Sequence, residues 1–226
     1  MTAAPIHFHD ERLMLDPAGA AFWPRTRTLI VSDLHLEKAS AAAARGSLLP
    51  PYDTRATLEK LQRLIRHYRP EKIVALGDSF HDTRGVERMS AADRTKLNAM
   101  AQQTHFIWIA GNHDAAPLSL AGESLAEWQE GPFVFRHQAE SRMARGGTEI
   151  SGHYHPKASV ETRAQRISRP CFVSDGGGRL MLPAFGAYTG GLNVRDPAIT
   201  RLFPRGLRVF LLGDQRLFSF ALGQLE

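Results

Sequence analysis

Hydrophobic and polar positions in the first half of the chain follow two periods in turn. "TLIVSDLHL" (28–36) opens with four residues that read as a buried strand, and "KIVALGD" (72–78) and "HFIWIAGNHD" (105–114) repeat the form. Between them, "DTRATLEKLQRLIRHY" (53–68) sets Leu58, Leu61, Leu64 and Ile65 at helical spacing, and Pro70 closes it. "SAADRTKLNAMAQQ" (90–103) starts with a Ser cap, has Asp at the third helical position and continues at helical spacing. Strand, helix, strand, helix, strand predicts βαβ crossovers and a mostly parallel sheet. Ahead of this unit, "IHFH" and "ERLML" alternate as a short hairpin would, and "AAAARG" (41–46) fits a helical turn or a loop.

After about residue 130 the rhythm shortens. "FVFRH", "TEISGHYHP", "ASVET", "PCFVS", "RLMLPAF", "RVFLLGD" and "RLFSFAL" read as brief strands separated by Gly, Pro and Asp, which predicts a predominantly antiparallel sheet without a convincing helix. With no repeat and no obvious linker, the simplest architecture is one α/β domain over residues 1–226, made of two stacked sheets with helices outside.

Composition adds limits. The 226 residues are 43% hydrophobic and 23% charged, which is ordinary globular usage. No apolar run approaches the roughly 20 residues that span a bilayer. The stretch "MTAAPIHFHDERLM" has no apolar core and is interrupted by Asp10 and Glu11, so no signal peptide and no membrane association are expected. Cys171 stands alone, which excludes an internal disulfide and fits a cytoplasmic location. The net charge of +5 and pI near 9.7 favour phosphate-bearing partners. Between Arg136 and Arg169, Arg136, Arg142, Arg145, Lys157, Arg163, Arg166 and Arg169 face only Glu140, Glu149 and Glu161, and a substrate backbone would meet these cations around the site.

Candidate chemistry gathers where strands end. Asp33 and His35 follow "LIVS", Asp78 follows "IVALG", and Asn112, His113 and Asp114 follow "FIWIAG"; His137 follows "FVFR", and His153 and His155 follow "EISG". Each residue alone reads as a turn or cap residue, but five such clusters at strand ends point to one ligand site. The i, i+2 pairs Asp33/His35 and His153/His155 would project to the same side of an extended chain, so each pair would address one site. Carboxylate, amide and imidazole donors suit Mn²⁺, Fe or Zn²⁺ better than Mg²⁺ or Ca²⁺. Seven donors are too many for one ion with open positions, and a pair of ions sharing a carboxylate would use them.

The ordered pattern Asp33-x-His35, Gly77-Asp78, Gly111-Asn112-His113-Asp114, His137 and Gly152-His153-x-His155 resembles the calcineurin-like metallophosphoesterase superfamily. "SDLHLEK", "GDSFHD" and "LPAFGAYTGG" (182–191) look like the bacterial ligase-associated DNA-damage-response endonucleases within it. The resemblance implies a four-layer αββα sandwich of two mixed sheets flanked by helices. It also implies two divalent ions, Mn²⁺ first among the choices, with a bridging hydroxide as nucleophile. One ion would be held by Asp33, His35, Asp78 and His155, and the other by Asp78, Asn112, His137 and His153. His113 would be the general acid, with Asp114 as its tuning partner or as a clamp on the turn. His81 could meet substrate or pair with His113, Lys38 and Arg45 could meet phosphates, and Tyr188 could stack on a base. The implied substrate is a phosphodiester, DNA in the first place, with a DNA ligase and a helicase as partners in repair. The alternatives are a small-nucleotide or lipid-linked pyrophosphate hydrolase of the same fold, or a scaffold without catalysis.

Overall fold

A computed structural model describes residues 2–114, 120–142, 147–161 and 165–225. Among these, the first sheet holds seven strands in chain order: β1 (Ala4–Phe8), β2 (Glu11–Leu15), β3 (Ala21–Trp23), β4 (Thr28–Val31), β5 (Lys72–Leu76), β6 (His105–Ile109) and β7 (Glu123–Leu125). The hairpin strands β1 to β3 reach β4 by antiparallel pairing, whereas β4 to β7 are parallel. The connections carry α1 (Lys38–Ala44), α2 (Asp53–Tyr68), α3 (Gly85–Arg88) and α4 (Ala91–Gln103). Helix α2 begins and ends where the sequence predicts, with Arg69 taking the left-handed conformation (φ 47°) just before Pro70. Ser90 caps α4 through the Asp93 amide.

The second sheet contains β8 (Glu127–Glu130), β9 (Phe133–Arg136), β10 (Thr148–Ser151), β11 (Lys157–Glu161), β12 (Arg166–Ser174), β13 (Arg179–Met181), β14 (Arg208–Leu212) and β15 (Leu217–Ala221). It is more mixed than the sequence predicts: β10 runs parallel to both β9 and β13, with Ile150 beside Phe135 and Leu180. The β11–β12 hairpin carries the chain away before β13 returns beside β10. A crossover built from strands leaves no helical period for the sequence to display.

Strand alternation builds the core. Leu29, Val31, Ile73, Ala75, Phe106 and Trp108 point outward and meet Leu58, Leu61 and Leu64 of α2 and Leu97 and Met100 of α4. Their alternates Ile30, Val74, Leu76, Ile107 and Ile109 point inward to Phe133, Phe135, Ile150, Phe172 and Leu180. Burying each such side chain stabilises the fold by roughly 1.5–3 kcal/mol. The outer face of the second sheet is covered by Val194, Ile199, Leu202, Phe203 and Leu207. That fourth layer is thin, because its helix is the single turn α5 (Pro197–Thr200) and the rest is loop.

Candidate metal centre

The polar clusters of the sequence converge at one end of the sandwich, beyond the C-terminal ends of β4, β5, β6, β9 and β10. Main-chain bonds carry the sheets past the strands: Asp33 N–H to Gly77 O (3.3 Å), His35 N–H to Asp78 O (2.9 Å) and Gly152 N–H to His137 O (2.9 Å). Asp33, His35, Asp78, His153 and His155 have φ of 51°, 42°, 45°, 71° and 46°. Left-handed backbone at non-glycine residues is uncommon and clusters at functional sites. It also overturns the extended-chain expectation for the i, i+2 pairs. Asp33 and His35 still meet, but His153 and His155 face different neighbours.

Two groups of donors result. In the first, Asp33, His35 and His155 present ligand atoms within 4.8 Å of one another, and in the second Asp78, His137 and His153 do the same. His35 Nε2 lies 3.2 Å from His155 Nε2. His137 Nε2 lies 3.1 Å from His153 Nδ1. Asn112 Oδ1 joins the second group at 2.9 Å from His137 Nε2 and 3.0 Å from His153 Nδ1. Asp78 stands between the groups, with Oδ2 3.9 Å from His35 Nε2 and Oδ1 3.5 Å from His137 Nε2.

The carboxylates are held from behind. Asp33 Oδ2 accepts the His153 amide (3.0 Å) and the Ser32 hydroxyl, which leaves Oδ1 facing the group. Oδ1 is buried and lies 3.2 Å from His155 Nε2, its nearest polar neighbour across the group. Burial opposes ionisation of Asp33, but the hydrogen bond and charge of His155, the charge of His137 and the Ser32 hydroxyl together hold its pKa below the usual carboxylate value. Burial pushes His35 down to about 3, against the pull of Asp33. His153 is lowered by burial and then by His137. An ionised carboxylate beside imidazoles of which His35 and His153 are held towards the neutral form is the donor state a divalent cation requires. The mix of imidazole nitrogen with carboxylate and amide oxygen fits such a cation.

His113 stands at the mouth, half-exposed. Its amide donates to Asp78 Oδ1 (2.9 Å), its Nδ1 is 2.8 Å from His81 O, and its Nε2 is 3.9 Å from Asp78 Oδ2. The ring of His81 stacks on it with centroids 5.4 Å apart. Burial lowers the His81 pKa, and the charges of Lys38, His113 and Arg45 lower it further. Asp114 serves the main chain: it accepts the amides of Gly111 (3.1 Å) and Phe80 (3.0 Å), so it clamps the loop after β6 to the loop after β5. Burial raises its pKa, the Phe80 amide opposes the rise and Asp78 adds to it. Position 111 admits only glycine, because a Cβ there would lie 2.2 Å from Asp78 N and Oδ1.

The sequence gives no signal for the residues that brace this centre. Ser32 supports Asp33, and buried Glu37 accepts the Thr54 hydroxyl (2.9 Å), locking the stretch after His35 to the start of α2. The basic run needs correction. Arg136 is ion-paired with Glu127, Glu140 and Glu149, and Arg169 lines a cavity of about 500 Å³ beside α2. Arg142 is exposed, Arg166 is exposed on β12, and Arg145 and Arg163 lie outside the described residues. Lys157 lies close enough to Lys38 for the two charges to oppose each other. Glu127 lies on β8, a strand with no clear period in the sequence, and its carboxylate takes up one end of the Arg136 guanidinium (2.9 Å).

A family model described as calcineurin-like phosphoesterase matches residues 26–179. Among solved structures, the chain is similar to the Pseudomonas putida nuclease MPE, at 27% identity over 97% of this chain and 100% of that one, with a TM-score of 0.72. It also aligns with Yfce, a phosphoesterase from E. coli, at 15% identity over 86% and 98% of the two chains, with a TM-score of 0.39. No curated protein matches the chain.

Proposed function

The chain belongs to the calcineurin-like phosphoesterase family, and from that premise we propose that it is a two-metal phosphodiesterase that cuts nucleic-acid strands, DNA first among them. The observation that carries this reading is the position of Asp78, whose two oxygens face different donor groups. Asp33, His35, Asp78 and His155 would hold one divalent ion, and Asp78, Asn112, His137 and His153 the other. Mn²⁺ is the proposed ion, with Fe and Zn²⁺ also matching the donors. When bound, such a pair neutralises phosphate charge and lowers the pKa of coordinated water.

The chain's own residues supply the rest. Asp114 and Gly111 fix the turn that aims Asn112 and His113. With Nδ1–H donating to His81 O, His113 keeps Nε2 as the nitrogen that gives its proton to the leaving oxygen. Lys38, Arg45 and Lys157 offer positive charge to a phosphate backbone at the rim. The similarity to a nuclease over nearly the whole chain supports a polynucleotide substrate. The likeness of "SDLHLEK" and "LPAFGAYTGG" to the ligase-associated group supports repair work beside a ligase and a helicase. Among the described residues no helix is long and apolar enough to cross a membrane.

The test is elemental analysis together with cleavage. Protein stripped and reloaded with Mn²⁺ should hold two ions per chain, hydrolyse a bis-aryl phosphodiester and cut labelled DNA. Hydrolysis confined to pyrophosphates or nucleotides would replace the nuclease reading by the small-nucleotide hydrolase.

A further inference from the structure

Six large hydrophobic side chains are exposed among the described residues: Leu48 (93%), Leu49 (38%), Tyr52 (63%), Tyr188 (47%), Leu192 (38%) and Phe218 (44%). All but Phe218 lie on two loops that flank the first donor group. The first loop, residues 45–52, joins α1, the helix that follows the His35 stretch, to α2. It is held there by the Asp53 carboxylate on the Ala39 amide (3.1 Å) and by the Glu37–Thr54 bond. The second loop, residues 183–192, begins on Asp33, where Gly186 N–H donates to Asp33 O (3.1 Å). It ends beside His155, where Leu192 N–H donates to Tyr154 O (3.3 Å). The two loops meet α2 near each other: Tyr52 is the residue immediately before the helix and Ala187 N–H donates to Thr57 Oγ1 (3.0 Å). Thr57 is five positions after Tyr52, about 7.5 Å along a helix axis.

Exposed aromatic and aliphatic groups in one place mark a contact surface. Its surroundings say for what. Lys38 and Arg45 lie within electrostatic reach of His81, and Lys157 within reach of Lys38, so cations stand beside the apolar side chains of these loops. Tyr188 is held at φ 58°, a conformation that costs a bulky residue free energy and that a glycine would adopt without strain. The loop keeps a half-exposed tyrosine there in spite of that cost. Nucleobases stack on exposed aromatic rings while phosphates track the neighbouring cations.

Building on the nuclease reading of the centre, we propose that Tyr52 and Tyr188 are stacking positions for unpaired nucleobases. They register a strand whose phosphates run over Lys38, Arg45 and Lys157 into the metal centre. They are positioning residues: they set which phosphodiester is cut and demand that the flanking bases be unstacked from a complementary strand.

The test compares two strands of equal length, an oligothymidylate and its abasic counterpart, binding to metal-loaded His113→Asn protein by fluorescence anisotropy. Stacking predicts tighter binding of the base-bearing strand, on the order of ten-fold for each stacked base. In Tyr52→Ala/Tyr188→Ala that preference should fall towards one, while affinity for the abasic strand stays. Tyr52→Phe/Tyr188→Phe should restore the preference, because the ring and not the hydroxyl stacks. Equal binding of both strands by the unaltered tyrosines would overturn the stacking role and leave the nuclease reading intact. No binding of either strand would overturn both. Binding to anionic phospholipid vesicles, lost in the double alanine variant and without any preference for bases, would assign the surface to lipid and overturn the proposal.

Discussion

The Nδ1 atom of His113 lies 2.8 Å from the carbonyl oxygen of His81, so a main-chain acceptor fixes the orientation of the proposed acid. His113→Asn should therefore keep both metals and the fold but lose proton transfer. Turnover should fall on the order of 10²–10⁴-fold for an alkyl or sugar leaving group, and much less for an aryl one that needs no proton. Rates on the two diester classes, with metal content measured beside them, check this. Equal losses on both classes would assign His113 to phosphate binding instead. His81→Ala retains the carbonyl, so it should cost far less than His113→Asn.

Asp78→Asn should empty both donor groups. The carboxylate faces His35 with one oxygen and His137 with the other, and an amide would turn a nitrogen donor towards one of them. Elemental analysis should show loss of metal from both sites, and hydrolysis should nearly vanish while circular dichroism is unchanged. A variant holding two ions per chain with normal turnover would exclude the shared role.

Much of this was legible in the sequence because it is local. Leu58, Leu61 and Leu64 declare α2 by spacing, and "TLIV", "KIVAL" and "FIWI" declare strands buried on both faces. Asp33, His35, Asp78 and Asn112 are legible as candidate site residues because each breaks an apolar run at its end. What was not legible depends on distant partners. β3 and β7 have three residues each, too few to show a period. Arg136 reads as a free cation until β9 sets it against Glu127 of β8 and Glu149 of β10. Asp114 reads as a holder of the turn, a tuner of His113 or a cap for the residues that follow, and only the positions of the Phe80 and Gly111 amides show its carboxylate clamping two loops. The exposure of Tyr52 follows from where α2 docks, which "PPYD" does not record.

Asp114→Asn should be destabilising despite its identical size. The carboxylate accepts two buried amides, and the amide replacement offers one oxygen and turns an N–H₂ towards the other donor. An unmade buried hydrogen bond costs about 1–3 kcal/mol, so urea midpoints should fall accordingly. Metal affinity should weaken with them, since Asn112 and His113 sit on the clamped turn. His113→Asn, tested alongside, should leave the urea midpoint close to wild type.

Lys60 carries a pH-dependent cost that can be measured apart from catalysis. It sits on α2 with Nζ 2.8 Å from Phe185 O and 3.8 Å from the centre of the Phe185 ring. Burial pushes its ammonium from 10.5 down to about 8, Arg63 adds to the fall, and Asp16 opposes it. The folded state therefore binds this proton less readily than the unfolded chain. Stability is free of this cost above pH 10.5, falls as pH drops from 10.5 to about 8, and is level below that. Lys60→Met has no such group, so its stability relative to wild type should rise through the same window, by at most roughly 3 kcal/mol. Loss of the bond to Phe185 O lowers the variant's stability by an amount that varies little with pH, so the slope and not the offset carries the test. Urea denaturation at pH steps between 7 and 11 would measure it. A difference that stays constant across that window would mean that the ammonium keeps its water in the folded protein, and that its seat beside the start of the 183–192 loop is not desolvated.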